Sequence, residues 1–161
     1  MTNFPAMLRA LQDAGVEFIV IGGLAATAHG SARSTLDLDV VYRRSPENLE
    51  RLGAALQPHH PYLRGAPPGL PFLWDEATLK RGLNFTLITD LGALDVLGEV
   101  AGGGSYQALS PFCVTLELFG ARCLCVNLPK LIELKRAAGR PKDLEAIAEL
   151  ERLREIQEET P

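Results

Sequence analysis

Residues 19–41 read IVIGGLAATAHGSARSTLDLDVV and contain the strongest signal in the chain. A hydrophobic run ends at Gly22 and Gly23, and a second hydrophobic run carries Asp37 and Asp39 one residue apart. Side chains two positions apart in a strand point to the same face. Two carboxylates held side by side repel each other, which favours a cation between them. Because Mg²⁺ prefers oxygen ligands, Asp37 and Asp39 are predicted metal ligands.

A third acidic residue, Asp95, lies inside the apolar run LDVL at 94–97. An acid in a buried strand is costly unless it is paired or metal-bound, although Asp95 could instead face water in a hairpin. Three strand carboxylates can hold two divalent ions, which together stabilise the attacking and leaving oxygens of a phosphoryl transfer. Gly22 and Gly23 would let the backbone approach phosphates, and the helix after them offers free N–H groups.

Composition favours one folded domain, or one domain with a small appendage. The chain has 161 residues, of which 47% are hydrophobic and 22% are charged. The net charge of -4 argues against a broad basic surface for long nucleic acids, but it is compatible with a local basic pocket.

No apolar run approaches the ~20 residues that span a bilayer, and the N-terminus lacks the order of a signal peptide. We therefore expect no membrane association and a cytoplasmic location. Cys113, Cys123 and Cys125 are expected to be reduced core thiols.

Hydrophobic periodicity predicts an α+β (mixed α/β) fold with several hairpins. Predicted strands lie at 17–21, 36–42, 83–89, 93–97, 112–118 and 122–126. Predicted helices lie at 5–14, 24–29, 46–56, 75–81, 127–138 and 142–157. The Pro/Gly-rich segment 58–71 is predicted to be a mobile loop that serves as a lid or a tolerated insertion, and 102–104 a flexible link.

The order of a hydrophobic residue, Gly22-Gly23, a spacer and Asp37-Leu38-Asp39 resembles the polymerase-β-type nucleotidyltransferase superfamily. Asp95 matches that family's third carboxylate, which lies on a later strand. The residues around the first motif and the tail KRAAGRPKDL at 135–144 look like small prokaryotic members of the AbiEii/MenT type. The resemblance extends from about residue 17 to residue 150.

The resemblance implies a nucleotidyltransferase fold with a mixed β-sheet flanked by helices and a C-terminal helical pair. The nucleotidyltransferase α/β core would comprise residues 1–126, including the 58–71 loop. Residues 127–161 would form a C-terminal helical segment packed on that core.

The resemblance also implies Mg-dependent transfer of a nucleoside monophosphate from an NTP to an acceptor hydroxyl, with two Mg²⁺ ions. Asp37, Asp39 and Asp95 would be the catalytic and metal-binding residues, and Asp95 could take the acceptor's proton. The predicted nucleotide-binding residues are Gly22, Gly23, Arg33, Lys135, Arg140 and Lys142.

Several alternatives stay open at this stage. The acceptor could be an RNA end such as tRNA, a protein or a small molecule, and the chain could be a toxin with a cognate antitoxin-like partner. A catalytically inactive nucleotide- or partner-binding module is the alternative function. Arg33 could pair with Asp37 or contact a phosphate. Asp143 could favour a helix N-terminus or belong to the site.

Overall fold

The structure is a computed structural model that describes residues 1–159. Its strands are β1 (Phe18–Ile21), β2 (Asp37–Tyr42), β3 (Tyr62–Leu63), β4 (Asn84–Thr89), β5 (Gly92–Leu97), β6 (Glu99–Val100), β7 (Gly104–Ser105), β8 (Cys113–Leu118) and β9 (Ala121–Val126). Its α-helices are α1 (Phe4–Asp13), α2 (Gly22–Ala28), α3 (Pro46–Leu56), α4 (Glu76–Arg81), α5 (Tyr106–Leu109), α6 (Leu128–Ala138) and α7 (Pro141–Glu159).

The main sheet has seven strands in the order β3-β4-β5-β2-β1-β9-β8. β2 pairs with β5 and β1 pairs with β9 in parallel, whereas the other neighbours are antiparallel. The predicted α+β fold, with a mixed sheet flanked by helices and a C-terminal helical pair, is therefore confirmed. The predicted division after residue 126 coincides with the junction of β9 and α6, and it stays a prediction.

The acidic strand β2 has one buried face and one partly open face. Leu38 and Val40 are fully buried, whereas Asp37 and Asp39, which alternate with them along the strand, are only partly buried. The alternation follows from the period of two along a strand. In the parallel register, Asp39 lies opposite Asp95 of β5. The sheet thus brings together residues that are far apart in the chain.

The helices form two packed groups. α1 packs on α3 and α3 on α4, whereas α2 packs on α6 and α6 on α7. The second group covers β1 and β2 near the acidic residues, because α2 contacts both strands. Burial of the apolar faces of these helices is the main favourable term in such a fold.

Side chains cap the helices close to the predicted boundaries. Ser45 accepts a hydrogen bond from the Asn48 N–H at the start of α3, and Asn127 accepts one from the Lys130 N–H at the start of α6. Gly139 ends α6 in a left-handed conformation with φ 64°. These are the residue types expected at such termini, since they satisfy backbone groups that the helix leaves free.

The predicted flexible link at 102–104 is wrong. Glu99–Val100 and Gly104–Ser105 pair as a small antiparallel two-stranded sheet. Gly103 also packs closely, because a Cβ on it would lie 2.8 Å from a methyl carbon of Leu134. Glycine here allows a tight turn and a close approach of the backbone to α6. Composition alone does not distinguish this structural use of glycine from a flexible linker.

The predicted loop at 58–71 contains an edge strand. Tyr62–Leu63 pairs with β4 as β3 and extends the sheet by one strand. Two residues are too short to show an alternating pattern. The free backbone N–H and C=O groups at the edge of β4 favour this pairing. Because β4 is distant from these two residues in the sequence, no local pattern predicts it.

Aromatic side chains close the loop that follows β3. The Tyr62 and Phe72 rings lie edge to face at 6.1 Å, and Phe72 lies 6.4 Å from Trp74. The buried Trp74 in turn meets Phe85 of β4 at 5.6 Å. Residues 64–71, called the 64–71 loop below, are therefore held at their base by this aromatic row.

No helix within residues 1–159 combines the length and the apolar character needed to cross a membrane. The three cysteines are free. Burial raises the pKa of Cys125 to about 12 and also raises the pKa values of Cys113 and Cys123. These thiols are therefore neutral at physiological pH.

Asn48→Ala is expected to lower the free energy of unfolding by about 2–4 kcal/mol. The fully buried Asn48 side chain accepts a hydrogen bond from the Glu17 N–H and donates to the Glu17 and Arg43 carbonyls, which joins the ends of β1 and β2. Urea unfolding measures the loss. Glu50→Ala, on the exposed side of α3, is the control, and equal stabilities of the two variants would contradict this role.

Candidate active site

Three carboxylates lie together on the partly open face of β2 and β5. The strand register places Asp39 opposite Asp95, and Asp37 lies two residues before Asp39 on the same face. The Asp39 carboxyl is in hydrogen-bond contact with Asp95 and is affected by the charge of Asp37. The side chains of Asp37 and Asp95 are 40% and 23% exposed. The cluster is therefore partly desolvated but reachable from solvent.

The negative charge of this cluster is incompletely neutralised. Burial, followed by the charge and hydrogen bond of Asp95 and the charge of Asp37, raises the pKa of Asp39 to about 7. The ammonium group of Lys135 opposes the rise. A carboxyl held in this way favours either a proton or an added cation.

The Gly22-Gly23 turn packs directly against the acidic strand. Gly22 has φ +68°, and a Cβ there would overlap Asp39 Oδ2. A Cβ on Gly23 would lie 2.5 Å from Thr35 Oγ1. Both positions thus require glycine, one for its backbone conformation and its contact with a carboxylate, the other for a close approach to Thr35. The turn opens α2, and both glycines line the cavity.

Arg64 binds two of the three carboxylates. Its Nη2 lies 2.9 Å from Asp95 Oδ1, and its Nη1 lies 3.6 Å from Asp37 Oδ2. Nη2 also donates to the Leu87 carbonyl at 2.7 Å. Arg64 is not among the predicted site residues, because it lies in the Pro/Gly-rich segment and no local pattern distinguishes it from a solvated loop arginine. Only the pairing of β3 with β4 brings it to the site.

A group of basic residues on α6 and α7 lies across the cavity. The fully buried Asp143 pairs with Arg140 at 2.6 Å and with Lys135 at 3.5 Å. Burial alone would raise the pKa of Asp143, but Arg140 and Lys135 outweigh it and the pKa is lowered. Asp143 lies in the first turn of α7, where its charge is favourable for the helix N-terminus. Its membership of an active site stays a prediction. Lys142 is exposed at the same rim.

Arg33 lines the same cavity from the segment before β2. The predicted alternative in which it pairs with Asp37 is wrong: its guanidinium lies 3.6 Å from Glu145, and Asp37 pairs with Arg64 instead. The reason is that α7 packs beside this segment and presents Glu145 to it. Contact of Arg33 with a phosphate stays a prediction.

Residues 31 and 32, which precede β2, are also fixed to α7 through Glu149. Glu149 is not among the predicted site residues. Glu149 accepts hydrogen bonds from Ser31 Oγ and from the Ala32 N–H. Such contacts between chain segments more than a hundred residues apart leave no local signal in the sequence.

The acidic cluster, the glycine turn and the basic residues line one cavity of about 690 Å³. All nine predicted site residues lie on it: Asp37, Asp39, Asp95, Gly22, Gly23, Arg33, Lys135, Arg140 and Lys142. Part of its wall is apolar, with Leu131 and Leu134 of α6 and Leu150 of α7. A pocket with an acidic end, a basic rim and an apolar wall is suited to a polyanionic ligand that has a flat hydrophobic part.

The donor chemistry of the cluster fits Mg²⁺, which prefers carboxylate oxygens. Within residues 1–159, however, no three His, Cys, Asp or Glu side chains are arranged to hold a metal ion as they stand. Asp37 and Asp95 are both in contact with Arg64 in this structure. The residues can therefore supply the ligands, but two of them are bound to a guanidinium.

Comparisons with known proteins identify the fold. A scan against protein-family models and a search of curated proteins found no match. Among solved structures, the chain is similar to a Thermotoga maritima protein described as a candidate nucleotidyltransferase, with a TM-score of 0.51 and 15% sequence identity. The match covers 99% of this chain and 96% of that one. The protein therefore has a nucleotidyltransferase-like fold over nearly all of the described residues.

Gly22→Ala is expected to lower the free energy of unfolding by about 1–3 kcal/mol or more, because it adds backbone strain and an overlap with Asp39. Gly120→Ala is the matched control: Gly120 has φ +81° but no atom within 4 Å of an added Cβ. Urea unfolding of both variants separates strain from overlap. Equal losses would contradict the close contact of Gly22 with Asp39.

The stability of the metal-free protein is expected to fall as pH rises from about 4 to 7 because of Asp39. Its pKa is raised from 3.8 to about 7 in the folded state, so the folded state keeps a proton that the unfolded chain releases in this window. Between pH 5 and pH 8, the free energy of unfolding of the wild type should fall by on the order of 2 kcal/mol relative to that of Asp39→Asn.

Urea unfolding in EDTA at both pH values measures this difference. Asp13→Asn, which removes an exposed carboxyl remote from the site, should follow the wild type. A wild type that gains stability relative to Asp39→Asn over this range would contradict the assignment.

Proposed function

We propose that this protein is a Mg-dependent nucleotidyltransferase that moves a nucleoside monophosphate from an NTP to an acceptor hydroxyl. The observation that carries the proposal is the register of β2 and β5, which brings Asp37, Asp39 and Asp95 together beside the Gly22-Gly23 turn. The nucleotidyltransferase-like fold supports it.

Asp37, Asp39 and Asp95 are the residues that would hold Mg²⁺, and the ions would stabilise negative charge on the triphosphate and on the attacking oxygen. The Gly22 and Gly23 backbone, with the N-terminal N–H groups of α2, would bind the phosphates after the reacting one.

Lys135, Arg140, Lys142 and Arg33 would neutralise phosphate charge from the opposite wall of the cavity. The charges of Asp39 and Asp95 already act on Arg140, so the two walls are close enough to interact electrostatically. Asp143 fixes Lys135 and Arg140 in place by its ion pairs.

In the proposed reaction the acceptor hydroxyl oxygen attacks the α-phosphorus, and Asp95 accepts the proton of that hydroxyl. The bond between the α-phosphorus and the bridging oxygen breaks, and pyrophosphate leaves with the bonding electrons. An RNA end, a protein hydroxyl and a small molecule are the acceptor classes to be separated, and a toxin role with an antitoxin-like partner belongs to the same proposal.

The second candidate is a catalytically inactive nucleotide- or partner-binding module. Two observations favour it: Arg64 is bonded to Asp37 and Asp95, and within residues 1–159 no three His, Cys, Asp or Glu side chains are arranged to hold a metal ion. In this case nucleotide would bind through the basic wall of the cavity without a need for metal.

Calorimetric titration with ATP, CTP, GTP and UTP is the test. The wild type is expected to bind at least one nucleotide in the presence of Mg²⁺, and an Asp37→Asn/Asp39→Asn double variant should lose this by tenfold or more, since it loses two anionic ligands. The control is Asp13→Asn. The nucleotide that binds, labelled at its α-phosphate, then identifies the acceptor class by transfer into RNA, protein or small-molecule fractions.

Nucleotide binding that is independent of Mg²⁺ and unchanged in the double variant would favour the inactive module. If a folded wild type binds no nucleotide, the nucleotidyltransferase and the nucleotide-binding module are both overturned. A partner-binding module is then the remaining candidate.

A further inference from the structure

The guanidinium of Arg64 lies between two predicted metal ligands. Nη2 donates to Asp95 Oδ1 at 2.9 Å and Nη1 lies 3.6 Å from Asp37 Oδ2. These two carboxylates belong to neighbouring strands, so a cation that bridges them is placed where a shared metal ion would also bind. A guanidinium and a divalent ion at the same carboxylate oxygens repel each other, so both cannot occupy this position.

The present position of Arg64 leaves part of its bonding capacity unused. Its Nε is buried and makes no hydrogen bond with any residue in the range 1–159. A buried donor without a partner costs free energy, so the side chain is held here by the two carboxylates and by the Nη2 hydrogen bond to the Leu87 carbonyl. This cost favours departure of the side chain once another cation neutralises Asp37 and Asp95.

The chain around Arg64 allows such a departure. The Arg64 N–H donates to the Thr86 carbonyl at 3.0 Å, which fixes its backbone at the end of β3. The next residue, Gly65, has φ +83° and no atom within 4 Å of an added Cβ. The Arg64 side chain is 30% exposed. The side chain therefore borders open space, whereas its backbone is anchored to the sheet.

We propose that Arg64 is a built-in counter-ion that occupies the metal position in the metal-free protein and is displaced when a divalent ion binds. It is a positioning residue: it binds Asp37 and Asp95 on neighbouring strands before metal arrives. The inference rests on the metal site of the proposed function, and it makes metal uptake depend on a rearrangement at the start of the 64–71 loop.

The affinity for Mn²⁺ alone, measured by electron paramagnetic resonance without nucleotide, tests the proposal. Arg64→Ala is expected to bind Mn²⁺ about tenfold or more tightly than the wild type, because metal no longer competes with charge-assisted hydrogen bonds. A residue that merely supports the structure would give an equal or weaker affinity on removal. Circular dichroism shows whether Arg64→Ala is folded. If Arg64→Ala does not fold, Arg64→Gln, which keeps more of the side chain, is used in its place.

Two further variants separate displacement from general electrostatics. Arg81→Ala removes an exposed arginine that lies on α4, and it should leave the affinity for Mn²⁺ unchanged. Arg140→Ala removes a charge that acts on Asp39 and Asp95 without an ion pair to either. If metal displaces Arg64, the gain in affinity for Mn²⁺ must be larger for Arg64→Ala than for Arg140→Ala. A gain no larger than that of Arg140→Ala, or no detectable binding of Mn²⁺ by any variant, would overturn the proposal.

Thermal unfolding gives an independent measure. Without metal, Arg64→Ala should unfold at a lower temperature than the wild type, since three carboxylates lose a counter-ion. Addition of Mn²⁺ should raise the unfolding temperature more for Arg64→Ala than for the wild type. An equal rise would contradict displacement. None of these measurements uses a nucleotide, so failure of nucleotide transfer with a gain in Mn²⁺ affinity would overturn the proposed function and leave this inference standing.

Discussion

The parallel pairing of β2 with β5 is the constraint on which the site depends. It places Asp39 opposite Asp95 and concentrates three carboxylates on a partly buried face of the sheet. Like charges in such surroundings repel and lose hydration, so neighbouring groups must compensate them. The glycine turn before α2, the basic residues of α6 and α7, and the edge strand β3 are all arranged around this cluster. The hydrophobic face of β2, with the fully buried Leu38 and Val40, holds the strand in a single register despite the repulsion.

Compensation reaches the cluster from two sides of the fold. Lys135 approaches from α6, where the buried Asp143 holds it, and Arg64 approaches from the edge of the sheet. Lys135 and Arg64 differ in how a bound ligand could change their positions. Lys135 is paired with the buried Asp143 and its charge acts on Asp39, so it is suited to a permanent role in the electrostatics of the cavity. Arg64 has a free Nε and adjoins open space, so it is suited to exchange with another cation.

The likeness to the Thermotoga maritima structure extends over nearly the whole of both chains at 15% identity. Identity at that level shows a shared fold, and the fold alone does not establish an activity. Support for nucleotidyl transfer therefore comes from the site itself: hard oxygen ligands on two paired strands, a turn that requires glycine, and a basic wall across the cavity. The buried Asp143, which binds two cations rather than facing solvent, adds to it because a plain surface helix does not need such an arrangement.

By itself, the sequence determined the longer helices and strands and most of the candidate residues. Period-two alternation marked β2, cap residues marked the starts of α3 and α6, and the Gly22-Gly23 and Asp-x-Asp motifs drew attention to the acidic cluster, because these signals are local. The tertiary structure alone decided that Arg64 lies on Asp95 and that Arg33 pairs with Glu145. Those contacts join segments about thirty to more than a hundred residues apart, and they depend on how strands pair and helices pack. Long-range pairing is set by the whole core, so no local pattern in a single chain records it.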